Sequence, residues 1–119
     1  MSDPHPTFDS VLELCRNQHR RIVLGQLIAE QQSTTLEDLT RTVLKHNHHA
    51  SPTEIPDDVL VETRVSLHHN HLPKLASEGL ITYESDRGRV AATEQLEEVR
   101  PIVSAILDVD PELETPIEP

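Results

Sequence analysis

A helix that stops at a glycine and passes, without a linker, into a two-stranded turn-back is the most restrictive feature of this chain. It lies between Asp58 and Ala92, DVLVETRVSLHHNHLPKLASEGLITYESDRGRVAA. Val61, Val65, His68, Leu72 and Leu75 recur at the three- and four-residue steps of one helix face. Pro56 stands just before the start, and Gly79 supplies the stop. Beyond it, Ile81 and Tyr83 alternate with polar neighbours, Ser85-Asp86-Arg87-Gly88 turns the chain, and Arg89-Val90-Ala91-Ala92 returns. Strands this few and this local do not make an α/β sheet, in which strands alternate with helices.

Three further helical segments frame that unit. Phe8, Val11, Leu12 and Cys15 make one apolar stripe and Val23, Leu24, Leu27 and Ile28 a second, separated by the polar run RNQHRR. Asn17 is placed to cap the second piece. In STTLEDLTRTVLKHN, Thr35 and Asp38 form a capping-box-like start, with Leu36, Leu39, Val43 and Leu44 on one face. Acid leads this helix and base ends it, as the helix dipole favours. After the hairpin, Thr93 caps a last helix with Leu96, Val99, Val103 and Ile106 in register, and Pro101 must begin it or kink it.

The order is helix, helix, helix, hairpin, helix. It predicts a mainly α domain with a small β-hairpin, a winged helix-turn-helix. The competing architecture is a four-helix bundle, and the hairpin counts against it. The expected division is a flexible acidic N-terminus over 1–7, the winged helix-turn-helix over 8–93, a C-terminal helix over 94–109 available for dimerisation, and an acidic tail over 110–119. A tight helix-turn-helix joins its two helices with three or four residues; here residues 46–57 are expected to intervene.

The stretch LHHNHLPKLASEGLITYESDRG resembles the end of the recognition helix and the start of the wing in winged helix-turn-helix transcription regulators. His71, Leu72, Leu75, Gly79 and Leu80 reproduce a pattern common in arsenic-repressor-like and related prokaryotic families. A closer resemblance is to small haloarchaeal winged-helix domains with an H-x-H-L-P-x-L signature, here His69, His71, Leu72, Pro73 and Leu75. The basic run His19-Arg20-Arg21 in the first helix adds to it. The resemblance covers about residues 8 to 93 and implies a DNA-binding fold. It also bears on the composition. The formal net charge is −11, and only two of ten cationic residues are lysine. That composition suits either solubilising acidic ends or adaptation to high intracellular salt, and the resemblance favours the second.

The tripled imidazoles invite a metal reading. His68 and His71 share a face, but His69 and His71 are about 200° apart around a helix and cannot reach one ion. A structural zinc needs four ligands and a catalytic one three, and no spacing fixes the rest among His46, His48, His49 and Cys15. No metal or cofactor is therefore expected. His68 is expected to be a half-buried packing residue, and His69 and His71 to hold the helix to its neighbours by hydrogen bonds. A glycine-rich phosphate loop and a G-x-S-x-G elbow are both missing, and lone Cys15 sits on an apolar stripe, so no catalysis is expected.

Nucleic-acid binding is the leading expectation, with double-stranded DNA as partner. If Val61, Val65, His68 and Leu72 face inward, then Thr63, Ser66, His69, Asn70 and Lys74 are presented to base edges. Arg87 and Arg89 on the hairpin would reach phosphate or the minor groove. Arg20, Arg21, Arg41 and Lys45 would add backbone contacts. The alternative is a winged-helix protein–protein interaction module that never touches nucleic acid, favoured by the lack of a basic patch. The aliphatic stripe of the last helix could close over the domain's own core, but it is expected to pair two copies as a homodimer. No run approaches the ~20 apolar residues of a membrane span. MSDPHPTFDS has neither a basic n-region nor an apolar h-region, so a cytoplasmic protein without membrane association is expected.

Overall fold

The computed structural model describes residues 7–30, 33–48 and 55–110, with the side chains of 47 and 48 excepted. The elements run α1 (Phe8–Leu14), α2 (Gln18–Glu30), β1 (Thr34–Thr35), α3 (Leu36–His48), α4 (Asp57–Ser66), a π-helical turn (Leu67–His71), α5 (Leu72–Ser77), β2 (Ile81–Glu84), β3 (Arg89–Ala92), α6 (Glu94–Glu98) and α7 (Arg100–Asp108). The domain is mainly α with a small antiparallel sheet, in the expected order of helices, hairpin and closing helix. The expected tails at 1–6 and 111–119 lie outside the described residues.

The breaks have local causes. Asn17 Oδ1 accepts the backbone N–H groups of His19 (2.8 Å) and Arg20 (3.4 Å), which starts α2 where the polar run predicted. Thr35 Oγ1 accepts the N–H of Asp38 at 3.1 Å and starts α3. At the other boundary Gly79 has φ +84°, a conformation that side chains with a Cβ resist. The N–H of Leu80 then reaches back to the Leu75 carbonyl (3.1 Å), closing a Schellman-type end. Thr93 Oγ1 donates to the Gly79 carbonyl at 2.6 Å and accepts the N–H of Leu96 at 3.4 Å. One hydroxyl thus ties the helix stop to the next helix start.

The sheet has three strands in the order β1-β3-β2, with Ile81 opposite Ala92, Tyr83 opposite Val90, and Thr34 opposite Val90 on the other side. Strand β1 is a finding beyond the sequence-based expectation: two residues are too short to show alternation. The Leu36 N–H donates to the Gly88 carbonyl at 2.8 Å, so the hairpin turn is anchored on the start of α3.

Helix α2 is the hub. Ile22, Val23, Leu24 and Leu27 are all buried, which spreads around most of its circumference because α3, α7, β3 and the π turn pack on different sides. The predicted stripe of α3 is buried entire: Leu36, Leu39, Val43 and Leu44. On α1 the buried residues are Val11, Leu14 and Cys15, while Phe8 and Leu12, expected inside, are exposed.

The C-terminal helix packs largely on the domain's own core, which leaves the expected pairing of two copies without support. Its chain breaks at Val99 and restarts with Pro101 in the first turn of α7, where a missing N–H costs nothing. Leu96, Val99 and Val103 are buried in the domain's own core, packed with α2. Of the stripe expected to pair two copies, three residues are buried within one and Ile106 is half-buried against the same core. Asp110, assigned to the acidic tail, is also corrected: it is buried, with Oδ2 2.6 Å from Arg21 Nε. A carboxylate is placed in a core only against such a partner.

Candidate nucleic-acid interface

Residues 57–77 form one rod made of α4, the π turn and α5, and its phase differs from the sequence-based expectation. Val61 and Val65 are 53% and 44% exposed, whereas Thr63, Leu67, His71, Leu72 and Leu75 are buried. Thr63 is therefore corrected: its side chain faces the interior, not a groove. The cause is the π turn. In a regular α-helix, residues five apart point about 140° away from one another. Between 67 and 72 the ladder instead runs from the Leu72 N–H to the Leu67 carbonyl, five residues back. The extra residue in that turn lets Leu67 and Leu72 both face the core. Pro73 follows at once, within the first turn of α5, where no N–H is required. Even spacing by three and four residues selected the valines because it cannot anticipate an inserted residue.

The three imidazoles have three environments. His68 is half-buried, as expected, and its Nδ1 lies 2.7 Å from the Tyr83 hydroxyl, which joins the rod to β2. His69 is exposed and meets the His68 ring edge-on at 4.7 Å between centroids. His71 is 4% exposed, and its Nδ1 has no hydrogen-bond partner, contrary to the expected bond to a neighbour. Its ring lies edge-on to His19 at 5.4 Å. Burial, then the nearby His19 and Arg20, push its pKa down from 6.5 to about 4, and burial lowers that of His19 as well. His71 is thus a neutral core residue whose protonation is disfavoured on three counts. Among the described residues, no group of three or more His, Cys, Asp or Glu side chains comes together to hold a metal ion. Burial also raises the Cys15 thiol pKa, against the opposing charges of Arg21 and Arg20.

The remaining predicted contact residues fall on the surface. His69, Asn70 and Lys74 are exposed on the rod, Ser66 is half-buried, and Arg87 and Arg89 are exposed on the hairpin. Among the described residues, Arg20, Lys45, Lys74, Arg87 and Arg89 make no ion pair, and Arg20, half-buried, has its Nε buried without a partner. The other cations are mostly engaged. Arg21 is held by Asp110 and by the carbonyls of Cys15 (2.7 Å) and Arg16 (3.3 Å), so it is corrected from a backbone-contacting residue to a structural one. Arg41 pairs with Asp38 at 2.8 Å, both well exposed.

One candidate residue has no counterpart in the sequence-based expectation. Arg64 projects from α4 into a cleft of about 550 Å³ between the rod, the start of α3 and the hairpin turn, with His68 and Arg87 on its walls. It pairs with Glu37 at 2.7 Å. Regular three- and four-residue spacing places Val61 and Val65, not Arg64, on the inward stripe; its position four residues before His68 was the available signal. The Tyr83 hydroxyl behind His68 has its pKa raised by burial, with Arg64 opposing.

A protein-family model described as a domain of unknown function matches residues 12–91. No curated protein and no solved structure matches the chain.

Proposed function

The chain belongs to the DUF7344 family, whose model spans α1 to β3, and from that premise we propose that the domain is a winged helix-turn-helix DNA-binding regulator. The observation that carries the proposal is the pairing of a polar, exposed rod edge with an arginine-bearing hairpin: His69, Asn70 and Lys74 on one, Arg87 and Arg89 on the other. Asn70 is the group suited to base-edge hydrogen bonds, and the lysine and arginines to phosphate. The resemblance to haloarchaeal winged-helix domains points the same way. With a net charge of −11, attraction to DNA is local rather than global, and affinity depends on these few unpaired cations. A homodimer through the C-terminal helix is not carried into the proposal, because Leu96, Val99 and Val103 are buried in the monomer.

The test is band-shift or anisotropy titration of duplex fragments at several salt concentrations with wild type, Asn70→Ala and Arg87→Glu. Binding that weakens in both variants and falls linearly in log K against log salt supports the proposal. Equal binding in all three removes this surface.

A second reading has its own observation. Val61 and Val65 sit exposed, four residues apart, on the same rod, a pair suited to the apolar contact of a protein partner. A partner seated there would be lost on Val65→Asp, with little salt dependence, while DNA binding through Asn70 and Arg87 would persist.

A further inference from the structure

The cleft between α3, α4 and the hairpin turn contains more than the proposed function uses. Arg64 donates through Nε to Glu37 Oε2 at 2.7 Å. Among the described residues, its two terminal nitrogens make no bond. Both side chains are about half exposed (48% and 55%), so the pair is solvated and cheaply exchanged for a better acceptor. Arg87, across the cleft on the turn, is exposed and unpaired among the described residues. His68 lines the same space with Nδ1 engaged by the Tyr83 hydroxyl, which leaves Nε2 as its remaining polar atom. When the tyrosine donates to Nδ1, Nε2 carries the proton and becomes a donor. Two guanidinium groups and one imidazole N–H then line one opening, against two carboxylates, Glu37 paired with Arg64 and Asp86 on the turn. The turn is fixed to α3 by the Leu36 N–H to Gly88 carbonyl bond (2.8 Å), so the spacing is built into the fold.

A guanidinium fork matches the paired oxygens of a carboxylate or a phosphate alike. We propose that this cleft is a site for a phosphate-class anion, and that Glu37 is its internal stand-in, holding Arg64 until the anion displaces it. On the reading above, on which this inference rests for its natural ligand, that anion is one phosphodiester of the DNA backbone. Glu37 then lowers affinity for every duplex by the same factor, because a backbone phosphate carries no sequence information.

The experiment uses the full chain in two arms. In the first, duplex DNA is titrated into wild type, Glu37→Gln, Arg64→Gln, the double variant, and Glu98→Gln on α6, outside the cleft, as a control for net charge. The expected result is that Glu37→Gln tightens binding roughly threefold to fivefold, the scale of one exposed ion pair. The gain should shrink as salt rises, and it should vanish when Arg64 is also replaced. In the second arm, pyrophosphate is titrated while the Arg64 side-chain N–H resonance is followed by NMR, with tighter binding expected in Glu37→Gln than in wild type. Duplex binding by wild type with no gain in Glu37→Gln, or a gain matched by Glu98→Gln or surviving Arg64→Gln, overturns the stand-in and leaves the proposed function standing. No duplex binding by any variant, together with pyrophosphate held more tightly by Glu37→Gln, sinks the DNA reading and keeps the anion site. No response in either arm overturns both.

Discussion

Replacing His71 by leucine tests how the core of this domain is balanced. His71 is 4% exposed among Leu67, Leu72 and Leu75, with Nδ1 unpartnered, and its pKa falls from the ordinary 6.5 to about 4. A depressed folded-state pKa means that the unfolded chain binds the proton first as pH drops. Stability is therefore fully present above about pH 6.5, is lost as pH falls, and levels off below about pH 4. At about 1.4 kcal/mol per pH unit, the loss attributable to His71 is about 3 kcal/mol. Leucine abolishes the titration and the orphaned nitrogen together. At pH 7, relief of an unsatisfied buried polar group, about 1–3 kcal/mol, is offset by loss of the ring contact with His19, about 1 kcal/mol. The variant should then equal or modestly exceed wild type at pH 7, and exceed it by about 3 kcal/mol or more near pH 4. Urea denaturation followed by circular dichroism from pH 8 to pH 4 measures both. Subtracting the two curves cancels the carboxylates that titrate in each. If the variant lost stability with acid as steeply as wild type, the assignment of a neutral, orphaned imidazole would be refuted.

Three further perturbations follow from the packing. Asp110→Asn leaves the Arg21 guanidinium, 19% exposed, facing a neutral amide. Because Arg21 keeps two carbonyl partners, the cost should be about 2 kcal/mol, below the ~3–5 of a fully buried pair, and should persist in molar salt, where exposed pairs are screened; thermal melts at low and high KCl decide it. Gly25→Ala gains about 1 kcal/mol of helix propensity, and its Cβ would meet Leu107 Cδ1, the mobile end of a side chain, at 3.2 Å. A neutral or slightly higher melting temperature is expected, and a clear drop would show that α7 is held too rigidly against α2 to yield. Tyr83→Phe removes the 2.7 Å contact with His68 and should cost about 1 kcal/mol in chemical denaturation; no change would mean that water replaces the hydroxyl without loss.

The order of helices and hairpin, the caps at Asn17 and Thr35, the glycine stop at Gly79, the inward face of α3 and the break near Pro101 were all legible in the sequence. Each depends on groups within a few residues of one another, on a backbone conformation or a local hydrogen bond that residue type alone dictates. Exposure of His69, Asn70, Lys74, Arg87 and Arg89 was legible for a similar reason, since a solvated polar side chain needs no partner. What the linear pattern did not determine was anything settled by a distant element. Strand β1 exists because Thr34 meets Val90. The phase of the rod, and with it the burial of Thr63 and the exposure of Val61 and Val65, follows from a π turn that lets both Leu67 and Leu72 reach the core. Asp110 is structural because Arg21, 89 positions away along the chain, is beside it. Whether Arg64 faces solvent or Glu37 was decided only when α3 and α4 packed. Local hydrogen bonding and side-chain polarity can be read along a chain; the sharing of one interior among elements far apart in sequence cannot, because each element's face is chosen by the neighbours it must fit.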